Sequence, residues 1–122
     1  MKRGDKVCIE KILVYINEIQ GFFGQYSINS FEDLEGNNLV KYATTQIITN
    51  IYELKKKMSG DTLSNLPNFD KIKLSVARNI ASHDYDEVNF SIIYIICSLL
   101  SKSKNELEEV LGNGDKVKKW YN

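Results

Sequence analysis

Val40-Lys41-Tyr42-Ala43-Thr44-Thr45-Gln46-Ile47-Ile48-Thr49-Asn50-Ile51-Tyr52-Glu53-Leu54-Lys55-Lys56-Lys57-Met58 is the stretch whose reading decides the fold. Val40, Ala43, Ile47, Ile51, Leu54 and Met58 recur at steps of three and four residues. That spacing lines one side of an α-helix and predicts a single core-facing stripe. The basic run Lys55-Lys56-Lys57 sits where a helix exposes its last carbonyls. Its ordinary role is to complement the negative end of the helix dipole.

The same periodicity extends in both directions. Upstream, Val7, Ile9, Ile12, Leu13, Ile16, Ile19 and Phe23 predict a helix over residues 7–23, capped by Asp5 and stopped at Gly24. Ser30-Phe31-Glu32-Asp33 reads as a short capped turn of helix, with Ser30 accepting from the backbone and Asp33 reaching back. Downstream, Gly60, Asp61, Ser64, Asn65 and Pro67 mark residues 59–68 as the main loop. A third helix is expected over residues 69–82, and a fourth over 87–111 with Asp86 as its cap. Gly112-Asn113-Gly114-Asp115 reads as a turn, and residues 116–122 as a loosely ordered tail. No alternating strand pattern or internal repeat interrupts this order. The expectation is an all-α, antiparallel up-and-down four-helix bundle: one helical domain over residues 1–111, followed by a short basic-aromatic tail over 112–122.

Composition narrows the function. The 122 residues are 43% hydrophobic and 26% charged, enough for one domain with its own core. Sixteen Lys and Arg balance sixteen Asp and Glu, so the chain as a whole exerts no pull on a polyanion, and any such partner must meet a local patch. Cys8 and Cys97 stand far apart inside apolar runs and read as buried thiols of a reducing compartment. With His83 the only histidine, a zinc site lacks ligands. Glu10 and Lys11 interrupt what would be a signal peptide, and the nearly uncharged residues 90–100 are too few to cross a bilayer. The chain is therefore expected to be soluble and cytoplasmic, with no membrane partner.

Residues 90–100 are also too apolar for a helix with one wet side. Phe90, Ile92, Ile93, Tyr94, Ile95, Ile96, Cys97, Leu99 and Leu100 cover most of the circumference. Part of that surface is expected to meet a second copy of the chain.

Polar chemistry concentrates in Lys71-Ile72-Lys73-Leu74-Ser75-Val76-Ala77-Arg78-Asn79-Ile80-Ala81-Ser82-His83-Asp84-Tyr85. At 100° per residue, Lys71, Ser75, Arg78, Ser82 and Tyr85 form one polar stripe, while Phe69, Ile72, Val76, Ile80 and His83 face the core. For a lone histidine on an apolar stripe, a hydrogen-bonded core imidazole is the ordinary explanation. For Arg78 and His83 to serve one ligand, about 140° of helical rotation must be overcome. Either the helix unwinds after Ser82, or the paired groups come from two chains about a twofold axis. Asn79, four residues before His83, shares its face and can orient the imidazole or touch a phosphate. Without metal ligands, Arg, His, Asn and Tyr suit RNA cleavage by its own ribose. One histidine does not readily act as base and acid in a single step; a dimer supplies two.

Arg78-Asn79-Ile80-Ala81-Ser82-His83-Asp84-Tyr85 resembles the Arg-x4-His-x-Tyr signature of the HepT-like branch of the HEPN superfamily. The similarity runs from about residue 9 to 111 in helix order, in the Ser30-Phe31-Glu32 turn and in residues 89–94. The resemblance implies a HEPN-like homodimer with its two motifs facing across a cleft, and a metal-independent endoribonuclease without cofactors. It also implies the toxin half of a type VII toxin–antitoxin pair. The partner implied is an MntA-like minimal nucleotidyltransferase, which transfers AMP to the motif tyrosine and can assemble with the toxin into a larger hetero-oligomer. By position, Arg78 would hold the scissile phosphate, His83 would transfer protons, Asn79 would assist and Tyr85 would accept AMP. Lys71, Ser75 and Ser82 are candidate RNA contacts. The acidic residue expected on the second long helix has Glu53 as its nearest counterpart. A different class of function fits the same residues: a non-catalytic helical module that binds a nucleotidyltransferase or nucleotide. A plain structural bundle with His83 in its core is a third.

Overall fold

The computed structural model describes residues 1–81 and 90–114, with side chains described for residues 1–78 and 90–112. Seven helical segments and no strand occur among the described residues: α1 (Arg3–Gln25), α2 (Phe31–Glu35), α3 (Asn38–Lys56), α4 (Gly60–Ser64), α5 (Pro67–Asp70), α6 (Ser75–Ala81) and α7 (Ser91–Gly114). The long helix α1 packs against both α3 and α7, α6 lies on α3, and α5 lies on α7. Phe23 near the end of α1 stacks on Tyr94 near the start of α7, ring centroids 6.1 Å apart, as two helices laid in opposite directions require. The result is a helical bundle.

On α1, Ile9, Ile12, Ile16 and Ile19 are sealed from solvent, each contributing about 1.5–3 kcal/mol of burial. Val7, expected on that stripe, is 41% exposed, while Cys8 is buried in its place. Two expectations about the ends of α1 are corrected. Asp5 does not cap its own helix, whose N-cap is Lys2. It is buried within the first turn and accepts from Ser59 N (3.1 Å), Ser59 Oγ (2.5 Å) and Thr62 Oγ1 (2.6 Å). Gly24 does not stop the helix either. The left-handed position is Ser27 (φ 55°), and the Ile28 and Ser27 amides donate to the Phe23 and Gly24 carbonyls as a Schellman turn requires.

Around α2 the capped turn appears as expected. Ser30 Oγ accepts from Asp33 N, but Asp33 reaches back one residue further than a capping box does, accepting from Asn29 N at 2.9 Å. Helix α3 starts at Asn37, whose side chain accepts from Val40 N. Its buried face is broader and more polar than the single expected stripe. Val40, Ile47 and Ile51 are buried, joined by Lys41, Thr44, Thr45 and Ile48, while Ala43 and Leu54 are only half-buried. Lys41 is tolerated inside because its Nζ donates to the Glu35 carbonyl and carboxylate, both at 3.3 Å, and lies 4.7 Å from the centre of the Phe90 ring.

The expected loop over residues 59–68 contains α4 and the start of α5. Neither short helix would hold alone, and each has a distant carboxylate at its N-terminus. Asp5 of α1 anchors Ser59, the N-cap of α4, and Glu106 of α7 accepts from Asn68 N (3.0 Å) and Phe69 N (2.9 Å) at the start of α5. The single third helix expected over 69–82 is likewise corrected: the chain turns between α5 and α6. That break shifts the core register. Phe69, Ile72, Leu74 and Ala77 are buried, whereas Val76 is half-buried.

Helix α7 runs to Gly114, so residues 112–114 of the expected turn are helical. The expected Asp86 cap, the start of the fourth helix at 87 and residues 115–122 of the tail lie outside the described residues. Cys8 and Cys97 are both buried and unpaired, and burial pushes the Cys97 thiol up to about 12. None of the described helices is long and apolar enough to cross a membrane.

Candidate functional site

The packing of α6 on α3 builds the site. Leu74 and Ala77 are sealed against the core, so Lys71, Lys73, Ser75 and Arg78 are left on the outer side. Arg78 is held outward with its side chain 58% exposed, and its Nη1 lies 3.8 Å from Glu53 Oε1 on α3. The other oxygen of Glu53 pairs with Lys56 Nζ at 2.9 Å. One carboxylate thus joins the motif arginine to the basic end of α3.

The hydrogen bond from Lys56 holds the Glu53 carboxyl below its ordinary value. Slight burial opposes this, and the charges of Lys56, Arg78 and Lys57 add to it. Glu53 is therefore an anion at neutral pH. It neutralises one of the cations around it and leaves the others with their charge.

Beside this pair runs an open groove of about 410 Å³ between the end of α3 and the turn leading into α6. Met58, Leu63, Ile72 and Leu74 contribute its apolar wall, while Lys55, Lys56, Lys71 and Lys73 bring four cations to it. Lys55 is committed to the fold: its Nζ donates to the Asp70 carbonyl at 2.5 Å and pairs with the Asp70 carboxylate at 3.4 Å. The Lys71 and Lys73 side chains are exposed, with no partner among the described residues. Tyr52 lines the groove and lies under Lys56, whose Nζ is 5.0 Å from the ring centre.

Of the residues singled out in the sequence, Lys71 and Ser75 line the groove, and Arg78 is tied to the groove-lining Lys56 through Glu53. The side chains of Asn79 and Ile80, together with Ser82, His83 and Tyr85, lie outside the described residues. The rotation between Arg78 and His83 and the core placement of His83 lie there too. The basic run at 55–57, read in the sequence only as a helix terminus, does occupy the last turn and C-cap of α3, and two of its members also line this groove. The signal that could have shown this is the clustering of lysines before and after a short Pro-containing segment, which folds the two runs toward each other. Among the described residues, no three His, Cys, Asp or Glu side chains gather where they could hold a metal ion.

Compared with known proteins, the chain matches no protein-family model, no curated protein and no solved structure.

Proposed function

We propose that this chain is a HEPN-type, HepT-like endoribonuclease, the toxin of a toxin–antitoxin pair, working without metal. The observation that carries the reading is Arg78: the arginine of an intact Arg-x4-His-x-Tyr signature stands 58% exposed and is joined through Glu53 to Lys56, which lines a cationic groove, in a chain with no net charge.

The chemistry follows from the residue types. His83, as base, takes the proton of a ribose 2′-hydroxyl, and the freed oxygen attacks the adjacent phosphorus. The bond from phosphorus to the 5′-oxygen breaks, and an imidazolium returns a proton to that leaving oxygen. The products are a 2′,3′-cyclic phosphate and a 5′-hydroxyl. Arg78 stabilises the negative charge that gathers on the phosphorane oxygens, leaving Glu53 to do so. Asn79 assists by fixing the imidazole or a phosphate oxygen.

Base and acid come from two copies of the chain in an antiparallel four-helix HEPN-like homodimer. An apolar ridge on α7 supports the dimer: Ile92, Ile95 and Leu99, spaced three and four residues apart, are 40%, 55% and 37% exposed. Regulation falls on Tyr85. Transfer of AMP from ATP to its hydroxyl by an MntA-like nucleotidyltransferase adds a phosphodiester charge and a nucleoside where an RNA phosphate must sit.

The test is cleavage of RNA by purified protein in EDTA. Wild-type protein cleaves; Arg78→Ala slows cleavage by about 100-fold or more, and His83→Ala by a comparable factor. Cleavage that persists unchanged in both variants overturns the site. RNA left intact by the wild-type chain overturns the nuclease reading and leaves a binding module.

A further inference from the structure

The groove beside Arg78 has a composition that the catalytic chemistry does not require. Four cations line it, Lys55, Lys56, Lys71 and Lys73, and Glu53 ties Arg78 to Lys56. Only Glu53 and Asp70 stand against them as paired carboxylates. Lys55 is spent on Asp70, and Glu53 is shared between Lys56 and Arg78 while feeling the charge of Lys57. Lys71 and Lys73 meet no carboxylate among the described residues. A chain with balanced charge has therefore concentrated an uncompensated positive field on one groove, where low-dielectric walls focus it.

We propose that this groove is a binding track for the sugar–phosphate backbone of single-stranded RNA, delivering the strand to Arg78. The proposal rests on the nuclease reading for its direction but not for its existence. Three features fit a strand. The cations come from two separate segments, the end of α3 and the turn before α6, so they offer contacts from more than one place, which suits successive phosphates better than one anion. Lysines are point charges on flexible stems, suited to following a backbone without reading its bases. The apolar wall and Tyr52 offer surface to the sugar and base edges between phosphates. Glu53 adds a continuity: its two carboxylate oxygens tie Lys56, which lines the groove, to Arg78.

The experiment measures binding, separately from cleavage. The probe is a fluorescent oligouridine with 2′-O-methyl riboses, which carries the backbone charge but has no hydroxyl to attack. Lys71→Glu combined with Lys73→Glu weakens binding by about tenfold or more. It also lowers the slope of log affinity against log salt by about 1.4, since each phosphate neutralised on a single strand contributes about 0.7. Both lysines are exposed, so the variant keeps its fold, as its melting temperature will register. Lys11→Glu with Lys102→Glu, exposed positions on α1 and α7, makes the same change in net charge elsewhere and leaves binding unchanged. An unchanged affinity in the groove variant, an equal loss in the control, or no binding by the wild-type chain overturns the track. So does a polyglutamate peptide that binds as tightly and loses affinity in the same variant, which assigns the groove to an acidic protein surface. Loss confined to the groove variant supports the track even if the wild-type protein cuts no RNA; in that case the nuclease reading alone falls.

Discussion

At the scale of single residues, Asp5 shows how a side chain acquires a role that its neighbours in sequence do not announce. Burial pushes its carboxyl up, but hydrogen bonds from Ser59 and Thr62 and the charge of Lys2 outweigh that, so it titrates below the ordinary carboxyl value of 3.8. A carboxyl depressed on folding stabilises the native state above the unfolded-state value and loses that contribution as pH falls through the folded one. Asp5→Ala leaves buried donors unanswered and is expected to cost about 1–3 kcal/mol at neutral pH. In urea unfolding, the difference between wild type and variant stays constant above about pH 5 and shrinks toward pH 2. A difference that stays the same down to pH 2 assigns the cost to packing and removes the carboxylate from the account. The sequence marks Asp5 as the cap of the first helix, but that helix begins at Arg3 and takes Asp5 into its first turn. Its partners lie 54 and 57 residues away, a distance that no local pattern spans. Arg78 differs in the same way. Its residue type and signature are legible, whereas its pairing with Glu53 depends on α6 lying on α3.

At the scale of elements, periodicity locates the three long helices and misses where the short ones begin and end. The reason is physical. Long amphipathic helices are fixed by their own apolar spacing, while α4 and α5 exist because α1 and α7 supply carboxylates to their first turns. The break between α5 and α6 carries neither Pro nor Gly within residues 71–74, and Ile72 and Leu74 alternate there with lysines, so nothing in composition signals the end of a helix. The break matters for function because it brings Lys71 and Lys73 beside Lys55 and Lys56. Glu106→Ala should show how much α5 depends on its distant cap. The expected loss is about 0.5–2 kcal/mol of stability by denaturant unfolding, with faster amide exchange at Asn68 and Phe69 than at α3. Exchange that accelerates equally throughout the chain contradicts a local capping role.

At the scale of the whole molecule, neutrality and surplus apolar surface frame the proposal. Balanced charge keeps the chain from binding polyanions everywhere, so the groove stands out as a local field. The exposed ridge of Ile92, Ile95 and Leu99 on α7 is legible as surplus in the sequence, since more than one stripe of the helix is apolar there. Ile95→Glu places a charge in the centre of that ridge and is expected to convert dimer to monomer in sedimentation, with loss of RNA cleavage and little change in melting temperature. A monomeric wild-type chain that still cleaves RNA contradicts the twofold site. The most direct test of the central claim is the chemistry of the cut ends. With a defined RNA in EDTA, the wild-type chain is predicted to leave 2′,3′-cyclic phosphate and 5′-hydroxyl termini, and Arg78→Ala to lose both together by about two orders of magnitude. Intact RNA with the wild-type protein, or the same ends at the same rate from Arg78→Ala, would contradict it.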